Sequence, residues 1–114
     1  MRKEQIVALL DGLKNQTTAF ADVIQLIETH YRHQPAAFTN GGVHNEATLN
    51  QGSAKVFAFA QLNHLSVEDT LLLFAEHYRS VLSHPNETDH QNIRQFMANG
   101  WAGIMFESPA LQPK

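Results

Sequence analysis

The stretch Ala54-Lys55-Val56-Phe57-Ala58-Phe59-Ala60-Gln61-Leu62 decides the fold class. Phe57 and Phe59 alternate with small residues as on a half-buried strand, whereas Ala58, Ala60 and Leu62 are strong helix formers. No second strand stands out as a partner, so the stretch reads as a short buried helix. With that choice the chain is all-α. It becomes a single irregular domain of about five helices, with a long polar loop between helices 2 and 3.

The flanking segments agree with helical periodicity. Ile6, Leu9, Leu10 and Leu13 recur at the i, i+3, i+4, i+7 spacing that gathers them on one face of a first helix. Burial of that face requires order from close to Met1. Asn15-Gln16 breaks the pattern, and Thr17 or Thr18 offers a cap for a second helix. That helix carries Phe20, Val23, Ile24, Ile27 and Tyr31 in one stripe and is stopped by Pro35. Ser66 caps a further helix with Glu68 and Asp69 in its first turn. Its stripe runs through Leu71, Phe74, Ala75, Tyr78 and Leu82 to Pro85. Thr88, Gln91 and Asp89 supply caps for a last helix carrying Ile93, Phe96 and Met97. Gly100 ends it, because glycine takes a left-handed conformation without strain. Trp101, Ile104, Met105 and Phe106 then return to the core as a short extended segment, with Trp101 buried. The domain spans residues 1–107, and residues 108–114, with Pro109 and Pro113, form a frayed tail.

Composition narrows the function classes. The 114 residues are 43% hydrophobic and 17% charged, which is the balance of a folded domain. There is no cysteine, so disulfides, thiol catalysis and cysteine-containing zinc modules are absent. A formal net charge of −3 gives no electrostatic footprint for nucleic acid or an anionic membrane. No apolar run reaches the roughly 18 residues that suggest a membrane span. Arg2 and Lys3 precede a short apolar run that Asp11 interrupts, so no targeting segment is expected. The sequons at Asn15 and Asn86 carry little weight in that setting.

The polar stretch from His33 to Gly52 holds the first group of candidates. Loops longer than about 12–15 residues in a compact domain are usually functional or disordered. Phe38 is placed to anchor this one. Asn40, His44, Asn45, Asn50, Ser53 and Lys55 form a candidate binding set of amides, an imidazole, a hydroxyl and a fixed positive charge. A helix beginning near Gly52-Ser53 has free N–H groups that attract anions, which Lys55 would reinforce. In the plainer alternative the asparagines brace the loop's own backbone and Ser53 is a helix cap. Arg79, His90, Asn92, Arg94 and Trp101 form a second group, for recognition or for packing and hydrogen bonding between helices.

Other constellations are weaker. His30 and His33 lie at i, i+3, and His84 and His90 flank Glu87 and Asp89. No metal-binding motif has this spacing, and no metal or cofactor is expected. Ser53, Ser66, Ser80 and Ser83 lie in no nucleophile motif. Glu68-Asp69 suits a helix start, and Gly41-Gly42 and Gly52 suit tight turns.

An ordered set of phrases is more specific. It comprises Phe38-Thr39-Asn40-Gly41, Asn50-Gln51-Gly52-Ser53-Ala54-Lys55, Phe57-Ala58-Phe59-Ala60, Leu65-Ser66 and Thr70-Leu71-Leu72-Leu73-Phe74. Tyr78-Arg79, His90-Gln91-Asn92-Ile93-Arg94-Gln95-Phe96-Met97 and Gly100-Trp101 complete it. Together, from about Thr18 to Phe106, they resemble the HopJ family of bacterial type III secretion effectors. The resemblance implies a small protein of the bacterial cytoplasm or one delivered into host cells, and it transfers no catalytic residue. Relative to the family pattern, Ala54 stands in place of a cysteine and Ala75 in place of a glycine. These departures imply no essential thiol and, at 75, a small residue on a helix. The expected function is a binding or interaction module for a host or bacterial protein or a small anionic ligand. The alternative is a small-molecule or metal-assisted hydrolytic enzyme using loop residues 40–55. An adaptor would show a contiguous exposed apolar patch.

Overall fold

The computed structural model describes all 114 residues. Six α-helices are joined by five three-residue strands in two small antiparallel sheets, so the fold is mixed α/β rather than all-α. Helix α1 is Lys3–Lys14, with Leu9, Leu10 and Leu13 buried. Helix α2 is Phe20–His30. Its N-cap is Ala19 rather than a threonine, and Asp22 Oδ2 accepts from the Ala19 N–H at 3.0 Å. It also ends before Pro35, because Tyr31 turns into strand β1, Tyr31–His33. That strand pairs with β5, Leu111–Pro113. The segment expected to fray from Ser108 is thereby tied down, with Ala110 and Leu111 buried.

The polar loop contains a hairpin. Strand β2, Phe38–Asn40, pairs with β3, Val43–Asn45, across the two-residue turn Gly41-Gly42. Gly41 has φ +56°, and a Cβ there would collide with the side chains of Asn99 and Gln95. Glycine is therefore required twice over at this turn. Strand β4, Ile104–Phe106, adds to the other edge of β2, giving the order β3-β2-β4. This is the extended return expected after the last helix.

Helix α3, Gln51–Leu62, is the helix expected from the deciding stretch, started three residues earlier. Ala54 and Val56 through Ala60 are all buried. A helix buried all round has no polar face, which is why its sequence shows no clean helical period. Phe57 is the aromatic hub, with ring centroids 5.9 Å from Phe38, 5.4 Å from Phe74, 4.9 Å from Phe96 and 6.3 Å from Trp101. Trp101 is half-buried in a 3-10 turn, Gly100–Gly103, and its Nε1–H donates to the Leu65 carbonyl at 3.1 Å.

The helix expected from Ser66 to Pro85 is broken into α4, Val67–Leu72, and α5, Glu76–Ser83. Ser66 caps α4, its hydroxyl accepting from the Asp69 N–H at 3.1 Å. Leu73, Phe74 and Ala75, the residues between the two helices, are all buried. The chain turns at Ala75, with φ 52° and ψ −122°. The turn shifts the phase of the stripe, so that Val81 is 2% exposed and Leu82 is 52% exposed. Helix α6, Gln91–Asn99, follows a turn over Pro85–His90 and ends at Gly100, φ 60°. On it Ile93 and Phe96 are buried and Met97 is exposed.

Ala75 thus holds a backbone conformation that favours glycine, which accounts for the glycine implied there by the family pattern. Ala75→Gly is expected to stabilise the protein by about 1 kcal/mol, raising Tm by a few degrees in thermal unfolding. An unchanged or lower Tm would show that the turn carries no strain.

Candidate functional site

Four asparagines from four elements meet, three of them buried and one at the surface. Asn40 on β2, Asn45 on β3 and Asn92 on α6 are buried, and Asn50 stands at the N-cap position of α3, where its side chain makes no capping bond. Asn92 and Asn45 exchange amide hydrogen bonds, Nδ2 to Oδ1, at 3.0 and 3.1 Å. Asn40 Nδ2 donates to the Asn92 main-chain carbonyl at 2.7 Å and to its Oδ1 at 3.1 Å. Asn50 Nδ2 donates to Asn45 Oδ1 at 2.7 Å. One buried acceptor, Asn40 Oδ1, has no partner.

Two members of this network, Asn50 and Asn92, reach the wall of a cleft of about 460 Å³. Gly52 and Ser53 on α3, His90 and Gln91 at the start of α6, and His77 on α5 complete its polar side. Phe20, Phe74, Val43 and Ile93 form the apolar side. The His77 and His90 rings lie 5.1 Å apart, and Phe20 meets His77 edge-on at 4.9 Å. No carboxylate lines the cleft.

Bracing around the cleft is extensive. The Gln51 side-chain amide donates to the carbonyls of Leu49, at 2.9 Å, and Ala36, at 3.2 Å, and its Oε1 accepts from the Ala36 N–H. Arg94 donates to Asp89 Oδ1 at 2.7 Å and to the carbonyls of Asp89, His84 and Pro85, fixing the turn before α6. The hydrogen bond from Arg94 holds the Asp89 carboxyl below the usual carboxylate range. Glu76 Oε1 accepts from the Phe20 N–H at 2.8 Å, tying α5 to the start of α2. Burial acts to raise the pKa of Glu76, but the N–H groups of Phe20 and Glu76 and the charges of His77 and Arg79 outweigh it, so the net shift is downward.

The structure regroups the sequence candidates. Asn40, Asn45 and Asn50 come together with Asn92 from the second group, and Ser53 and His90 border the same cleft. His90, rather than a threonine or aspartate, is the N-cap of α6. Ser53 sits inside the first turn of α3, whose N-cap is Asn50, so it does not cap. His44 faces outward, 3.4 Å from Glu46 and 3.9 Å from Glu107. Lys55 does not curl back to the helix start but pairs with Glu28 at 3.2 Å. Trp101 packs away from the cleft, against Leu65, Phe57 and Phe96. Arg79 lies on α5, and its charge acts on Glu76. His77, Phe20 and Gln51 are absent from the sequence candidates. No group of three His, Cys, Asp or Glu side chains is gathered anywhere in the chain.

This arrangement defines a small α/β domain with one asparagine-floored cleft. The chain belongs to the HopJ type III effector protein family, whose model matches residues 6–111. It is similar, at 47% identity and a TM-score of 0.88, to a crystal structure described as that of the unknown function protein VPA0580. That match covers 100% of this chain and 95% of the other. None of the curated proteins matches. No helix is long and apolar enough to cross a membrane.

Asn92→Ala should cost about 2–4 kcal/mol in urea unfolding, because the buried amides of Asn40 and Asn45 lose partners. Lys55→Ala should cost less than about 1 kcal/mol, since its ion pair is with a half-exposed Glu28. Equal costs would mean that the network does not hold the hairpin to α6. The lowered pKa of Glu76 sets a pH dependence. Its contribution is present above the ordinary carboxylate pKa and is lost as pH falls through the depressed folded value. Glu76→Gln should therefore lower Tm at pH 7 and converge with wild type in acid.

Proposed function

We propose that this protein is a binding module for a small ligand, held in the cleft between the starts of α3, α5 and α6. One observation carries the reading. Three helices begin around this one cleft from residues with positive φ: Asn50 at 54°, Ala75 at 52° and His90 at 51°. Non-glycine residues in that region cost free energy and persist where the surrounding structure holds them, commonly at functional sites. The asparagine floor adds a second cost, since buried polar networks demand full pairing.

The cleft volume falls within the range of small-molecule sites, and its composition, apolar on one side and hydrogen-bonding on the other, is of that kind. A hydrolytic reading finds less support. Ser53 makes no hydrogen bond to either histidine, so no base is placed against a nucleophile. An adaptor reading rests on exposed apolar residues, and these are spread over α1 (Val7), α3 (Leu62), α5 (Leu82), α6 (Met97) and β4 (Met105). The family description supports delivery by a type III system, which makes a host-cell metabolite a natural class of ligand.

Gly52 allows a direct test. A Cβ there meets Phe20 at ordinary contact distance, 3.6 Å, so a larger side chain enters the cleft without distorting the helix. In a thermal-shift screen of small acids, amines, sugars and nucleosides, at least one class should raise the wild-type Tm by several degrees. Gly52→Leu should keep its unliganded Tm and lose that shift. A screen in which no class moves wild type, or in which Gly52→Leu responds equally, overturns the reading.

A further inference from the structure

Resting on the cleft as a binding site, we infer that its ligand is an anion and that binding is coupled to protonation of the His77–His90 pair. The argument starts from charge placement. The chain carries 11 acidic residues and a net charge of −3, yet none of the 11 cleft-lining residues is acidic. The two titratable groups in the wall are imidazoles, and their rings are 5.1 Å apart. Imidazole is the side chain whose charge ordinarily changes between pH 5 and 8. Two imidazolium ions this close repel each other, and an anion seated against both relieves that repulsion.

The charged groups around the pair are accounted for. From α5, Glu76 directs its carboxylate to the Phe20 N–H, and Arg79 lies one turn further on. From the turn before α6, Asp89 Oδ2 is 3.7 Å from His90 Nε2, while Asp89 Oδ1 is held by Arg94. From α3 and α6 the facing residues, Asn50, Gly52, Ser53, Gln91 and Asn92, are uncharged. Asp89 therefore lies against His90 without itself entering the cleft. His77 packs edge-on against Phe20 and borders the apolar wall of Phe20 and Phe74. The ligand class that fits both walls is an anionic group on an apolar or aromatic body. Linkage is reciprocal: protonation tightens the anion, and the anion raises the proton affinity of the pair.

Benzenesulfonate is a suitable probe, because its charge is constant from pH 5.5 to 7.5, and benzenesulfonamide is its neutral counterpart. Calorimetric titration of the full chain should give affinity for the sulfonate that rises about tenfold or more from pH 7.5 to 5.5, with proton uptake seen as a buffer-dependent heat. The neutral sulfonamide should bind weakly at every pH. His77→Gln and His90→Asn should flatten the pH dependence; asparagine at 90 tolerates the left-handed backbone there, and Tm verifies folding of each variant. Sulfonate binding that is independent of pH, or whose pH dependence survives in both variants, overturns the coupling and leaves the cleft as a binding site. Equal binding of the sulfonamide overturns the anion class. No binding of the sulfonate at pH 5.5 overturns this inference, while the Gly52→Leu screen separately decides whether the cleft binds anything.

Discussion

The reciprocal amide pair between Asn92 and Asn45 is the joint on which the fold depends. The sheet β3-β2-β4 consists of three-residue strands, and so small a sheet has little independent stability. Phe38 and Phe106, stacked 5.1 Å apart, give it one apolar anchor, through Phe38 to Phe57. The asparagines give it an orientation. Apolar contacts fix proximity, whereas the Asn45–Asn92 and Asn40–Asn92 bonds fix which residue of α6 lies against which residue of the hairpin. Gln95, one turn further along α6, repeats the device by accepting from the Gly42 N–H at 3.2 Å. Each such bond contributes only about 1 kcal/mol net, but leaving one partner buried and unpaired costs more. The hairpin therefore has one satisfactory register against α6.

How much of this was legible follows from the range of each signal. Helices α1, α2 and α6 were readable because their apolar residues fall at helical spacing and turn or cap residues bound them. The hairpin was not, because alternation cannot declare itself in three residues; Asn40-Gly41-Gly42 was its one local cue. The β1–β5 pair joins Tyr31 to Pro113, a separation no local pattern encodes. The break at Ala75 was hidden because alanine continues a helical stripe as well as any residue. Its trace was the expected glycine, whose meaning only the backbone angle supplies.

The site was half legible for a related reason. Asparagines in a polar loop attract notice by type, so Asn40, Asn45 and Asn50 were identifiable. Asn92, the partner of Asn40 and Asn45, lies 52 and 47 residues away from them, and it stood instead among the recognition-or-packing candidates. The braced-loop and ligand-binding alternatives for these residues are not exclusive. The Asn45 amide is paired at both its nitrogen and its oxygen, while Asn50 and Asn92 bond to it and also face the cleft. Lys55 misled because a lysine one turn into a helix can reach either end; Glu28 on the neighbouring α2 decided the direction. His77 gave no signal, since its spacing to His90 matches no motif and their meeting depends on the turn at Ala75.

That turn links the strain to the cleft. Had α4 continued straight into α5, the helical period would have carried His77 with a different face of the helix. Breaking at Ala75 resets the phase, brings His77 beside His90 and lets Glu76 cap the start of α2. The opposite wall is set by Asn50, which starts α3, and by His90, which starts α6. Each wall is thus fixed at the point where a helix begins, where the backbone has the fewest internal hydrogen bonds. Gln51, Glu76 and Arg94 brace the chain around these starts through hydrogen bonds to main-chain groups of the neighbouring segments. The groups that face inward, Ser53, His77 and His90, are left free of that structural duty, and recognition requires such groups.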